Sequence, residues 1–149
     1  MKKALWIILI IVLVIQVIPK NRPETSFKNP DDLLVNNQIP VEVATMLRNA
    51  CYDCHSNESQ FPWYAYVAPV SYLVNRDIRE AREHLNFSEW ESLETTKKLK
   101  MLGEISDEVG EGEMPVKIYP PLHPKARLSD EDRKKIVEWT ADFGDGLLK

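Results

Sequence analysis

The sequence has few cysteines and histidines, and it has no excess of basic residues. Only two cysteines and three histidines occur in 149 residues, so cysteine chemistry is restricted to one site. The formal net charge is −4, which argues against nucleic acid as a partner, because nucleic-acid-binding proteins normally present a basic face. With 44% hydrophobic and 28% charged residues, most of the chain is still expected to fold.

No stretch of the sequence alternates apolar and polar residues in the way that a half-buried strand requires. Apolar residues recur instead at helical spacing, which predicts an all-α domain. A capping box between Ser88 and Glu91 is predicted to open the third of its helices, which continues to about residue 109 as one helix or two. The other predicted helices span residues 40–51, 69–85 and 129–144.

There is a single long hydrophobic run, at residues 4–18, and it follows a lysine pair. This pattern predicts a membrane anchor or an export signal. A helix of 15 residues is only about 22 Å long, whereas the hydrocarbon core is roughly 30 Å thick, so spanning would need local thinning or outward-reaching Lys20 and Arg22 side chains. No small-x-small cleavage site follows the run, which favours an uncleaved anchor.

Three regions are therefore predicted along the chain. Residues 1–19 form the anchor, residues 20–39 a polar, proline-rich tether, and residues 40–149 the folded domain. The lysine pair should stay in the cytoplasm, which places the domain on the outer, periplasmic side of a bacterial cytoplasmic membrane as a single-pass protein.

Both cysteines lie in one motif, Cys51-Tyr52-Asp53-Cys54-His55, whose spacing is that of c-type haem attachment. On a helical turn, two sulfurs three residues apart face the same side and can reach the two vinyl groups of one porphyrin. The next residue, His55, then offers its imidazole to the iron. The motif predicts one covalent haem c.

Three other interpretations of the cysteine pair were weighed. A local disulfide or a buried thiol pair is the simplest of them. A thioredoxin-type redox pair would need a βαβ setting that a helical chain lacks. A zinc site would have to recruit His84 and His123 at spacings that match no zinc finger.

A second iron ligand is expected from a long proline-rich segment, residues 112–124, which we call the strap. Met114 is the favoured ligand, because Pro115 pushes it toward an extended conformation and methionine with histidine makes an electron-transfer centre. His123 is the alternative ligand, and an open iron site is the third possibility. Met46 and Met101 occur at helical spacing and are assigned to the core.

Aromatic residues crowd the segment that follows the cysteine motif. Trp63 and Tyr66 are candidates for hydrogen bonds to haem propionates, although core packing is the commoner role of such a group. Trp90 and Trp139 fall on helix faces and are assigned to the core.

Several blocks of residues together make the chain similar to the bacterial haem-binding domain family, over roughly residues 40–143. These blocks are Cys51-Tyr-Asp-Cys-His-Ser-Asn, Pro62-Trp63-Tyr64, Ala68-Pro69-Val70-Ser71, Asn86-Phe87-Ser88 with Trp90, Gly112-Glu113-Met114-Pro115, His123, and Leu128-Ser129 with Trp139. The resemblance implies a cytochrome c-like helical fold around one haem, with a methionine-bearing strap.

The expected function is one-electron transfer by an anchored carrier with redox proteins as partners, not catalysis. The alternative is a peroxidase-like enzyme or a small-ligand sensor, which would need an open distal iron and an acid-base group such as His123. The sequence names no donor or acceptor and fixes no oligomeric state.

Overall fold

A computed structural model describes residues 2–149, and within that range every regular element is a helix. The all-α prediction is therefore confirmed. The α-helices are α1 (Lys2–Gln16), α2 (Leu33–Asn36), α3 (Val41–Ala50), α4 (Tyr52–His55), α5 (Val70–His84), α6 (Thr95–Gly110), α7 (Tyr119–Leu122) and α8 (Asp130–Leu147). Three 3₁₀ helices, Trp63–Tyr66, Phe87–Ser92 and Pro124–Ala126, join them.

The apolar run near the N-terminus forms α1, as its composition predicts. Its 15 residues include no buried side chain. Among the helices of residues 2–149, none combines the length and the apolar character needed to cross a membrane. The predicted single-pass span is thus not found, because α1 ends at Gln16 before the required length is reached.

Part of the segment predicted as a tether packs into the domain. Leu33 is fully buried in the hydrophobic core, and so is the side chain of Asp32. The Asp32 carboxylate accepts the Leu34 N–H at 2.8 Å, capping α2, and the Tyr52 hydroxyl at 2.9 Å. Burial raises the pKa of Asp32, and these hydrogen bonds partly oppose that rise. Residues 31–36 are therefore fixed against the cysteine motif.

The predicted capping box at Ser88 does not form. Asn86 accepts the Ser88 N–H at 3.1 Å and caps a 3₁₀ helix instead, while Glu91 binds Lys98 and Asn37. Asn86 competes successfully because its short side-chain amide can reach a backbone N–H two residues ahead. The predicted helix is consequently two elements, the 3₁₀ helix and α6.

The two longest helices of the domain, α6 and α8, pack against each other. At the start of α8, Ser129 and Asp132 form a reciprocal capping box, which agrees with the predicted start. The predicted end at Gly144 is wrong, since α8 continues to Leu147. Gly144 is a packing residue: a Cβ there would lie 3.4 Å from a methyl group of Leu99 and 3.7 Å from one of Leu102.

Two glycines, one within α6 and one just beyond its end, should respond to alanine in opposite directions. At Gly103 in mid-helix a Cβ would meet nothing within 4 Å, whereas Gly112 has a φ of +79°. Gly103→Ala is expected to raise the free energy of unfolding by roughly 0.5–1 kcal/mol, and Gly112→Ala to lower it by roughly 1–2 kcal/mol. Urea denaturation of both variants checks this. Equal changes in stability would contradict the backbone conformations given for Gly103 and Gly112.

Candidate functional site

A cavity of about 480 Å³ lies where the ends of α3 and α5 meet α6 and the strap. Its size falls within the range usual for small-molecule and cofactor sites. Most of its wall is apolar: Ala50, Leu85, Phe87, Met101, Ile105, Val109 and Pro115. The predicted residues Cys51, His55 and Met114 also line it, together with the polar residues His84, Glu104, Asp107 and Glu108.

The His55 imidazole is held in one orientation at the cavity wall. Its Nδ1 lies 3.1 Å from the carbonyl oxygen of Leu85, at the end of α5. Burial lowers the pKa of His55, so the ring is neutral and Nδ1 carries the donated proton. Nε2 then keeps its lone pair for a metal, as in other histidine ligands whose second nitrogen donates to a carbonyl.

Both cysteines are free thiols, but they differ in position. Cys51, at the break between α3 and α4, lines the cavity, and burial raises its pKa to about 12. Cys54 lies within α4 and is not part of the cavity wall. Its pKa is raised to about 11, first by burial and then by the charges of Asp53 and Asp77. Both side chains are therefore neutral thiols at physiological pH.

Met114 reaches the cavity because its backbone is fixed on both sides. Its N–H donates to the carbonyl oxygen of Glu108 at 3.0 Å, just before α6 ends. Its own carbonyl oxygen accepts from Nη1 of Arg133 at 2.6 Å, and the same nitrogen donates to the Val109 carbonyl at 3.0 Å. These hydrogen bonds fix the first part of the strap against α6 and α8. The Met114 side chain packs against the core.

The strap is tied to the cysteine motif through a polar contact. It contains the single-turn helix α7 and ends where a 3₁₀ helix begins, so it is more regular than the sequence predicts. The Tyr119 hydroxyl donates to Oδ2 of Asp53 at 2.6 Å, and Asp53 stands between the two cysteines. Desolvation and this hydrogen bond raise the pKa of Tyr119, which therefore stays protonated as a donor.

His123 is not brought to the cavity. Its Nε2 is paired with the Tyr64 hydroxyl at 2.5 Å, and its ring stacks on Tyr119 with centroids 4.0 Å apart. This cluster lies beside Asp53 on the outside of α4, where it braces the strap. Of the two predicted alternatives for the sixth ligand, the structure places only Met114 beside His55.

The two aromatic residues predicted to bind propionates are also absent from the cavity wall. Trp63 is 78% exposed and Tyr66 is 52% exposed. The other two aromatic assignments agree with the structure, because Trp90 and Trp139 are buried in the core. Met46 and Met101 belong to the core as well, and Met101 also lines the cavity.

Several residues that shape the site gave no recognisable sequence pattern. Arg133 reaches 19 residues back along the chain, and His84 Nε2 lies 3.0 Å from Oε2 of Glu104 at the cavity wall. The His84 side chain is largely exposed, so the cavity opens to the surface beside this pair. In the described part of the chain, no three His, Cys, Asp or Glu side chains converge as a metal-binding group, which leaves the zinc interpretation without a ligand set.

Removing the guanidinium that holds Met114 should destabilise the strap. Arg133→Met is expected to lower the free energy of unfolding by about 1–3 kcal/mol, because two carbonyl groups lose a charged donor. Arg127→Met is the matched control, since Arg127 is exposed beyond the strap and should change stability by less than about 0.5 kcal/mol. Urea titrations of both variants measure the difference. Equal stabilities would contradict the role given to Arg133.

Comparison with known proteins gives one family match. The model of a family described as a haem-binding domain matches residues 10–142, which is most of the chain and includes the end of α1, the cysteine motif and the strap. No curated protein and no solved structure matches the chain.

Proposed function

The chain belongs to the haem-binding domain family, and we propose that it binds one haem covalently through Cys51 and Cys54 and transfers single electrons at the outer face of the cytoplasmic membrane. His55 and Met114 are the proposed axial ligands of the iron. The family match carries haem binding, and the arrangement of the cavity residues supports the covalent, six-coordinate form.

The observation that supports this proposal most strongly is the composition of one cavity wall. Cys51 and His55 of the cysteine motif and Met114 of the strap are far apart in the sequence, yet they share one largely apolar space. A neutral imidazole with a free Nε2 and a thioether are the donors of a low-spin electron-transfer iron. An apolar wall suits the porphyrin faces, and it excludes water from the metal.

The thiols have the form that covalent attachment needs. Each S–H adds across a vinyl double bond, so that a carbon–sulfur bond forms and the proton goes to the neighbouring carbon, with no net oxidation or reduction. When bound, the haem supplies the one-electron change at its iron. Cys51 already lines the cavity, and Cys54 lies in the helical turn that follows, close to Arg82.

The proposed location supports electron transfer to membrane-bound partners. The exposed apolar helix α1 associates with the membrane and raises the concentration of the domain near redox proteins there. The exposed side of His84 marks the mouth of the cavity, where a partner can approach the haem edge.

An absorption spectrum and intact mass of exported protein test the proposal together. Protein made with a haem-attachment system should show the mass of one added haem, low-spin spectra in both oxidation states, and a weak long-wavelength band from an iron–methionine bond when oxidised. If the exported protein has the mass of the polypeptide alone, the proposed covalent attachment is wrong.

One observation favours a second candidate function, peroxide reduction or small-ligand binding at the iron. The His84–Glu104 pair lines the cavity at its mouth and offers an acid-base couple that His123 does not provide. This function needs Met114 to leave the iron. Rapid carbon monoxide binding by the reduced, unmodified protein would favour it over electron transfer.

A further inference from the structure

A group of exposed apolar and aromatic residues lies beside the C-terminal end of α1. It consists of Trp63, Tyr66, Val67, Val70 and Leu73, which we call the collar. They come from the 3₁₀ helix Trp63–Tyr66, the residue that follows it and the first turns of α5, and each has at least 40% of its surface exposed. None of them lines the cavity, so the proposed haem site does not explain them.

The collar is held beside α1 by hydrogen bonds. The Gln16 side chain makes two with Ala68: Nε2 donates to its carbonyl at 3.1 Å, and Oε1 accepts its N–H at 3.0 Å. The Tyr72 hydroxyl donates to the carbonyl oxygens of Ile15 and Ile18. Asn75, fully buried, donates to the Lys20 carbonyl at 2.7 Å. The end of α1 is therefore seated on α5 at a fixed position.

Two cations complete this surface. Lys20 donates to the Tyr66 carbonyl at 2.9 Å, and the Arg22 guanidinium lies 3.9 Å from the centre of the Tyr66 ring. Neither forms an ion pair with a carboxylate anywhere in residues 2–149, although the chain as a whole carries a net charge of −4. Tryptophan, tyrosine and basic side chains next to an apolar helix are the residues that favour the boundary between lipid and water.

We propose that the collar docks on an anionic phospholipid bilayer, so that α1 and the collar form one continuous lipid-contacting surface. The inference rests on the proposed membrane association of α1. A membrane that takes up α1 as far as Gln16 must reach the collar, because Gln16 is hydrogen-bonded to Ala68, which lies between the collar residues Val67 and Val70 in the sequence. The domain is then held in one orientation on the bilayer. Its strap and cavity stay at a fixed distance from the lipid surface.

The four tryptophans of the chain allow a test with the whole protein. The full chain, labelled with 5-fluorotryptophan, is bound to vesicles of phosphatidylcholine and phosphatidylglycerol that carry a nitroxide in the headgroup region. Fluorine spectra are compared with those from matched vesicles that lack the nitroxide, which isolates broadening by lipid. Broadening of both Trp6 in α1 and Trp63 in the collar is expected, while Trp90 and Trp139 in the core stay sharp.

A pair of matched variants sharpens the result. Val67→Ser with Val70→Ser should remove the broadening of Trp63 and leave that of Trp6, because only the collar loses its apolar surface. Val35→Ser with Val41→Ser removes two valines elsewhere that are even more exposed, and it should leave both signals broadened. Broadening of Trp6 without Trp63 in the unmodified chain would overturn the collar alone. Broadening of neither would overturn the membrane association as well.

Discussion

Replacing both Cys51 and Cys54 with alanine is expected to abolish covalently attached haem. No other cysteine exists in the chain to form a thioether bond. The haem stain on a denaturing gel should therefore follow the wild-type band and vanish from the double variant. Intact mass spectrometry of the same material should show the polypeptide mass alone. Alanine fits both positions, since neither thiol makes a disulfide.

The single variants make this prediction sharper. Cys51 lines the cavity and Cys54 does not, so Cys51→Ala should reduce the covalent haem content more than Cys54→Ala does. Gln60→Ala is a suitable control, because Gln60 lies close in the sequence and its side chain is exposed. Haem that survives denaturation in the double variant would refute attachment through these residues.

Changing Met114 to alanine is expected to remove the iron–methionine band and to open the distal side of the haem. The reduction potential should fall by on the order of 0.1 V, because a thioether ligand favours the reduced iron. The reduced variant should then bind carbon monoxide rapidly, whereas the unmodified protein should not. Visible spectroscopy and a redox titration measure these changes.

Two controls separate ligation from packing. Met101→Ala removes a buried methionine from the same cavity and should cost about 2–5 kcal/mol of stability, but it should leave the band in place. His123→Gln should also retain the band, because His123 is paired with Tyr64 outside the cavity. A band that persists in Met114→Ala and disappears in His123→Gln would reverse the ligand assignment.

Patterns with a short range in sequence were the most dependable predictors. Helical spacing predicted α5 to within one residue at each end, and the Ser129 cap predicted the start of α8. The same kind of pattern misplaced the cap at Ser88, because Asn86 satisfies the neighbouring N–H by a local turn. Gly144 was misread as a helix end, since its small size serves packing against Leu99 in this structure.

The residues of the candidate site show the same difference between local patterns and long-range contacts. The cysteine motif is a local pattern in which geometry follows from spacing, so Cys51, Cys54 and His55 become candidates for haem attachment without knowledge of the fold. The choice between Met114 and His123 depends on where the strap lies, and that is set by Arg133 from α8 and by Asp53 in the motif. Sequence spacing alone carries no information on contacts of this kind.

By itself the sequence determined the helical class, the cysteine motif and the apolar helix α1, because each depends on residues that are neighbours along the chain. Only the tertiary structure decided which strap residue shares a cavity with His55, that Asp32 and Leu33 belong to the core, and that the collar flanks α1. These features arise from hydrogen bonds and packing between residues far apart in the sequence, for example between Gln16 and Ala68, 52 residues apart, and between Asp53 and Tyr119, 66 residues apart. Such contacts form only when the whole chain has folded.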